Sequence, residues 1–152
     1  MNRPLPTALA ELQDIPLLSL VTVDGHRWLL PQPEIRLLGP LLAIDRELRT
    51  PCSIGAVGFE GEWWPVYCLS GELRLLAQLA ANRRICLLLS NGVDRFGLVC
   101  DQVEPLGKAV RFAPLPACMT TPDSPIQAIT QLEGQIACVT TTEHLAAFIA
   151  AL

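Results

Sequence analysis

The run GAVGFEGEWWPVYCL at residues 55–69 constrains this chain more than any other stretch. β-forming residues alternate with glycines, which reads as strands over 52–59 and 62–69 joined by a turn at Glu60-Gly61. Gly55 and Gly58 predict a tight bend or a close backbone approach within the first strand. Pro65 belongs at an edge or a bulge, because it has no N–H for a ladder. Trp63 and Trp64 are adjacent, so a strand sends them to opposite faces, one into the core and one outward or towards a partner. A later run, FGLVCDQV at 96–103, has the same apolar strand character. Such segments build a core and a surface, which points to binding rather than to chemistry.

The flanking patterns extend this reading. LLSLVTV at 17–23 predicts a strand, Asp24-Gly25 a hairpin turn, and 26–30 the return strand, ended by Pro31 and Pro33. Residues 35–42 read as a short helix or an irregular run, and 45–51 as a charged connection. Ser70 caps an expected helix over 72–82, with Leu73, Leu76 and Ala80 on one face and Leu75 and Leu79 widening it. RICLLLS at 84–90 predicts a buried strand, Asn91-Gly92 a turn, and 95–103 a strand apolar on both sides. A short strand over 108–112 and a proline-rich crossing over 113–125 follow. Strands over 126–130 and 135–140 flank the turn Glu133-Gly134. Thr140 and Glu143 form a capping box for a last helix, which presents Leu145, Phe148, Ile149 and Leu152 along one side. Many short strands with little helix favour a β-barrel class over βαβ units.

Charge and composition narrow the function. Eleven basic residues face fifteen acidic ones, for a net charge of -4, and no basic stripe exists to follow a phosphate backbone. No nucleic-acid partner is expected. The chain has no apolar run of 18 or more residues, so direct membrane insertion is not expected, and a soluble cytoplasmic protein is. The six cysteines include no CxxC pair, which argues against a zinc knuckle or a dithiol motif. Cys68, Cys86, Cys100 and Cys138 sit in apolar runs and read as small buried hydrophobes.

Reactive constellations are absent from the sequence. His26 and His144 are the only histidines, and neither belongs to an HxxxH or HExxH pattern. There is no P-loop, GxGxxG or GxSxG elbow, and Ser53 has no base near it in sequence. No metal, cofactor or catalytic residue is expected. Asp101 lies inside an apolar strand, where a carboxylate anchors a turn or a partner contact by hydrogen bonding. Glu60 and Glu62 flank Gly61 at a hairpin tip.

Taken in order, these pieces resemble the CheW-like adaptor domain of bacterial chemotaxis and related signalling arrays. Residues 17–30 are similar to its opening hairpin, and CSIGAVGFEGEWWPVYCL to its glycine–strand–glycine–strand–proline block. RICLLLSNGVDRFGLVCDQV is similar to the strand pair ending in an apolar-apolar-x-Asp-x-Val signature, and 137–152 to the closing strand and helix. The resemblance implies a mainly β fold of two small SH3-like barrels sharing a hydrophobic seam, with a C-terminal helix, over residues 15–152. Residues 1–14 are then a flexible arm. It also implies a non-catalytic adaptor bridging a methyl-accepting chemoreceptor-like protein and a CheA-type histidine kinase, in chemotaxis or in pilus-based twitching. The family's Asn-Leu-Arg-Gly turn is Gly58-Phe59-Glu60-Gly61 here, which reverses the charge at Glu60. Its Asp-Leu-Arg is Cys68-Leu69-Ser70. The backbone-shaping residues remain while two recognition charges change. Partner contact is expected from Phe59, Glu60, Glu62, Trp63 and Val66. A structural or assembly subunit built on the same barrels, and an enzyme of unrecognised type, stand as alternatives.

Overall fold

Three two-residue turns organise the chain. Asp24-Gly25, Glu60-Gly61 and Glu133-Gly134 each hold both residues at positive φ, at 50° and 79°, 52° and 78°, and 50° and 79°. That is the backbone twist that suits right-twisted hairpin strands. In this computed structural model, residues 17–107, 110–119, 121 and 124–152 are described. The expected arm over 1–14 lies outside them.

The strands are β1 (Leu18–Val23), β2 (His26–Pro31), β3 (Ile35–Pro40), β4 (Gly55–Phe59), β5 (Glu62–Leu69) and β6 (Leu75–Leu76). They continue as β7 (Ile85–Ser90), β8 (Arg95–Cys100), β9 (Gln102–Pro105), β10 (Ala113–Pro114), β11 (Ala128–Leu132) and β12 (Gln135–Val139), followed by a helix over Thr142–Ala150. One curled sheet has the order β10-β11-β12-β2-β1-β9 and the other β3-β7-β8-β5-β4, with β6 added on β5. Pairing is antiparallel except at two short junctions, β12 with β2 and β5 with β8. The architecture is mainly β with a C-terminal helix.

Three apolar cores follow. One lies within each sheet, and a third is shared between them. The shared core packs Val21, Val23, Trp28 and Leu30 of the first sheet against Leu87, Leu89, Phe96 and Leu98 of the second, under Leu145 and Ile149 of the helix. The second sheet is drawn towards closure by a bridge, Asp45 N to Ala56 O at 2.8 Å and Ala56 N to Asp45 O at 3.1 Å. Gly55 permits this approach, because a Cβ there would stand 2.6 Å from the Asp45 carbonyl oxygen. Pro65 pairs with Ala56 one residue before β5 begins its contact with β8 at Val66, so its missing N–H interrupts no ladder.

Several expectations are corrected. Residues 35–40 form β3 rather than a helix, paired along β7, with the 3-10 turn Leu41–Ala43 after it. The helix over 72–82 does not form. Leu73 sits at φ 64°, and Leu75 and Leu76 pair with Leu69 and Cys68 as a strand. The strand over 95–103 breaks at Asp101, where the chain leaves the second sheet and joins the first as β9. Of 108–112, the first two residues lie outside the described set, and Val110, Arg111 and Phe112 are not strand. The helix cap is Thr141, whose hydroxyl accepts from the His144 N–H at 3.2 Å. Thr140 instead donates to the Pro125 carbonyl at 2.8 Å. Leu152 is exposed and does not dock with Leu145 and Ile149.

Candidate functional site

The β4–β5 hairpin carries the surface. Strand parity buries Trp64 and leaves Trp63 62% exposed. Phe59 is half-buried and meets Trp64 edge-on, with ring centroids 5.5 Å apart at 80°. Val66 is wholly enclosed in the core of the second sheet. It is therefore a packing residue and not a surface contact, because inward and outward side chains alternate along β5 and Val66 shares the parity of Trp64. Beside Trp63 runs an open groove of about 1020 Å³, lined by Leu41, Leu42, Ile44 and Leu79, by the charged Asp45, Arg46 and Glu47, and by Gly58. Leu42 stands almost completely in solvent.

Both hairpin-tip glutamates are already paired. Glu60 meets Arg36 at 3.3 Å, and Glu62 accepts from Arg95. The register of β3 shifts between Ile35 and Leu37, so Arg36 is the bulged residue, and a bulge re-aims a side chain. The arginine that pairs with Glu60 thus comes from a different strand, 24 residues earlier. These pairs are about half exposed, where an ion pair is worth about 0–1 kcal/mol, so a partner can exchange them at small cost.

At the other end of β5, at Leu69, lies a junction of different character. Arg83 has no exposed side-chain area and contacts four groups, the carboxylates of Asp24 and Asp101, the Leu69 carbonyl and, from Nη1, Asn82 Oδ1 at 3.3 Å. Its Nη1 donates to Asp24 Oδ1 at 2.5 Å and to Asp101 Oδ1 at 2.9 Å. Its Nη2 donates to Asp24 Oδ2 at 3.1 Å and to the Leu69 carbonyl at 2.7 Å. Asn82 donates to both carboxylates at 3.0 Å, and the Asp24 N–H donates to Asp101 Oδ2 at 2.9 Å. Asp24 belongs to the first sheet's turn and Leu69 to the second sheet's β5, so the cluster ties the sheets together. The hydrogen bond from Arg83, and then that from Asn82, hold the Asp24 carboxyl well below the usual carboxylate range. Burial opposes the charge on Arg83, but its bonds to Asp24 and Asp101 outweigh that and raise its pKa. Gly71 completes the fit. Its N–H donates to Asp24 Oδ2 at 3.0 Å, and a Cβ there would stand 2.2 Å from His26 Nδ1 and 2.8 Å from the Val23 carbonyl.

The sequence marks Asp101 as a hydrogen-bonding anchor, and it is one. Arg83 and Asp24 carry no comparable signal, because their meeting depends on contacts 59 residues apart. Ser53 is buried, and its hydroxyl accepts from the Thr50 N–H at 2.8 Å. His144 Nδ1 lies 2.6 Å from the Thr141 hydroxyl at the helix cap. His26 lies exposed at the Asp24 turn. The structure therefore brings none of these three to the others. Among the described residues, no three or more His, Cys, Asp or Glu side chains gather as metal ligands. All six cysteines are free thiols. No helix among the described residues is long and apolar enough to cross a membrane.

No family model matches the chain, and no curated protein matches it. Among solved structures, the chain is similar to the scaffolding protein TtCheW from Thermoanaerobacter tengcongensis. The TM-score is 0.65 at 14% identity, over 82% of this chain and 88% of that one. At that identity the likeness concerns backbone architecture, and this chain has a CheW-like fold.

Proposed function

We propose that this chain is a non-catalytic signalling adaptor that couples a chemoreceptor-like protein to a CheA-type histidine kinase, in chemotaxis or in pilus-mediated motility. The single observation that carries the reading is Trp63, held outward on a hairpin beside an open groove of apolar and charged side chains within a CheW-like fold. A large aromatic ring in water is the side-chain type that anchors protein interfaces. Phe59 backs that surface, and Glu60 and Glu62 set its specificity through exchangeable ion pairs. In this reading each sheet is a small barrel, the two share the seam clasped by Arg83, and residues 15–152 act as one adaptor domain. Partners on separate outer faces are then held at high effective concentration, which is the adaptor's product. The work is done in the cytoplasm, where such a kinase acts.

The test is a calorimetric titration of the purified chain with the CheA-type kinase and with a receptor cytoplasmic fragment from the same organism. Wild-type chain binds at least one of them, and Trp63→Ala weakens that binding at least about tenfold, equivalent to about 1.4 kcal/mol. Failure of both to bind refutes the reading. A second reading, a self-assembling structural subunit, is favoured by Leu37 and Leu38, both exposed on the free edge of β3. Sedimentation of the chain alone separates the two, because a self-assembling subunit grows in mass with concentration.

A further inference from the structure

β4 is the last strand of its sheet. Its outer edge is closed at Ala56, whose N–H and carbonyl both bond Asp45. Main-chain groups alternate sides along an antiparallel strand, so Gly58, two residues on, also turns its N–H and carbonyl outward. The chain that would continue the pairing instead curls into the 3-10 turn Leu41–Ala43. Among the described residues, no backbone group meets those of Gly58. Gly58 is exposed, and its edge forms the floor of the groove between Leu42 and Trp63. A ladder thus begins at Asp45 and stops one pair short, beside an exposed aromatic ring.

We infer that this groove accepts an extended segment of the partner protein, which pairs its main chain with Gly58 and so prolongs the ladder begun by Asp45. The inference rests on the adaptor reading and deepens it, by naming how the partner is held. An unpaired donor and acceptor on one strand edge are met together by another extended backbone, whereas a docked helix has no free main-chain groups to offer. The occupant carries apolar side chains over Trp63 and Leu42. Over the hairpin tip it meets Glu60 and Glu62, already paired with Arg36 and Arg95, so a basic side chain there exchanges one cation for another at small cost.

The decisive variant is Gly58→Pro. It removes the outward N–H and leaves the β4–β5 ladder whole, since that ladder does not use the Gly58 amide. Gly58→Ala keeps the amide and is the control. Its Cβ would lie 3.6 Å from the Trp63 ring, an ordinary contact. The probes are the same CheA-type kinase and receptor fragment. The expected result is wild-type binding by Gly58→Ala and a loss of about tenfold or more by Gly58→Pro. Amide exchange in the unmodified chain reads the same bond without a variant. The Gly58 amide exchanges freely alone, and its exchange slows at least about tenfold in the complex. A complex that forms while Gly58 exchanges at its free rate, or one that Gly58→Pro leaves unchanged, overturns the strand pairing and leaves the adaptor standing. Failure of both probes to bind overturns the adaptor and this inference with it.

Discussion

Replacing Arg83 by methionine tests the junction between the sheets. The substitution removes every donor of the guanidinium while keeping a long side chain in its place. Asp24 and Asp101, which both contact Nη1, are left facing each other without their cation, and the Leu69 carbonyl loses its partner. Breaking a buried ion pair from one side costs about 3–5 kcal/mol. The Asp24 side chain is 33% exposed and recovers some hydration, so the lower end, about 3 kcal/mol, is expected. With a urea slope of about 2 kcal/mol per molar, the unfolding midpoint should fall by about 1.5 M. Chemical denaturation followed by tryptophan fluorescence measures it. A fall below about 0.5 M would show that the cluster holds the sheets no more firmly than a surface pair. The acid limb of the same measurement gives an independent check. Asp24 has a depressed pKa in the folded chain, so protons bind the unfolded chain first. The stabilisation is complete above the unfolded value of about 3.9 and is lost as pH falls from there towards the folded value. Arg83→Met should flatten that part of the curve, since its cause has been removed.

Three further outcomes follow from particular contacts. Gly71→Ala drives a Cβ into His26 and the Val23 carbonyl. The exposed histidine can swing away, but the backbone cannot, so a loss of about 1–3 kcal/mol in thermal unfolding is expected even with His26→Ala added. Glu60→Arg sets two cations together. It should cost no more than about 1 kcal/mol of stability while lowering partner affinity, and Arg36→Glu in the same chain should restore the pair without restoring that affinity. Burial pushes the thiols of Cys86 and Cys100 up to about 12. A disulfide reagent at pH 8 should therefore label exposed Cys118 in the folded chain and reach these two only after denaturation. Fast labelling of all three in the native state would contradict the packed core.

The failed helix over 72–82 shows where local pattern stops being informative. Leu73, Leu76 and Ala80 recur at helical spacing, and Ser70 stands where a cap belongs. Two long-range demands override them. Leu75 and Leu76 complete the edge of β5, and Asn82 and Arg83 are drawn to carboxylates from distant turns. Helix propensity offers only tenths of a kcal/mol per residue, less than one buried charge-assisted bond. The break at Asp101 has the same origin. Its N–H bonds the Thr22 carbonyl of the other sheet at 2.9 Å, a partner that no local window contains.

What the sequence alone determined is local and periodic. Glycine pairs at positive φ made the hairpins legible, alternation separated Trp63 from Trp64, and apolar runs located β7 and β8. Each depends only on backbone sterics and on the two-residue period of a strand. Tertiary structure alone decided which strands became neighbours, that Arg83 would be shared by two carboxylates, that Arg36 would pair with Glu60, and that Val66 would be enclosed. Those outcomes join residues far apart in the chain. The free energy that selects them, burial of one sheet against another, exists only once both sheets have formed.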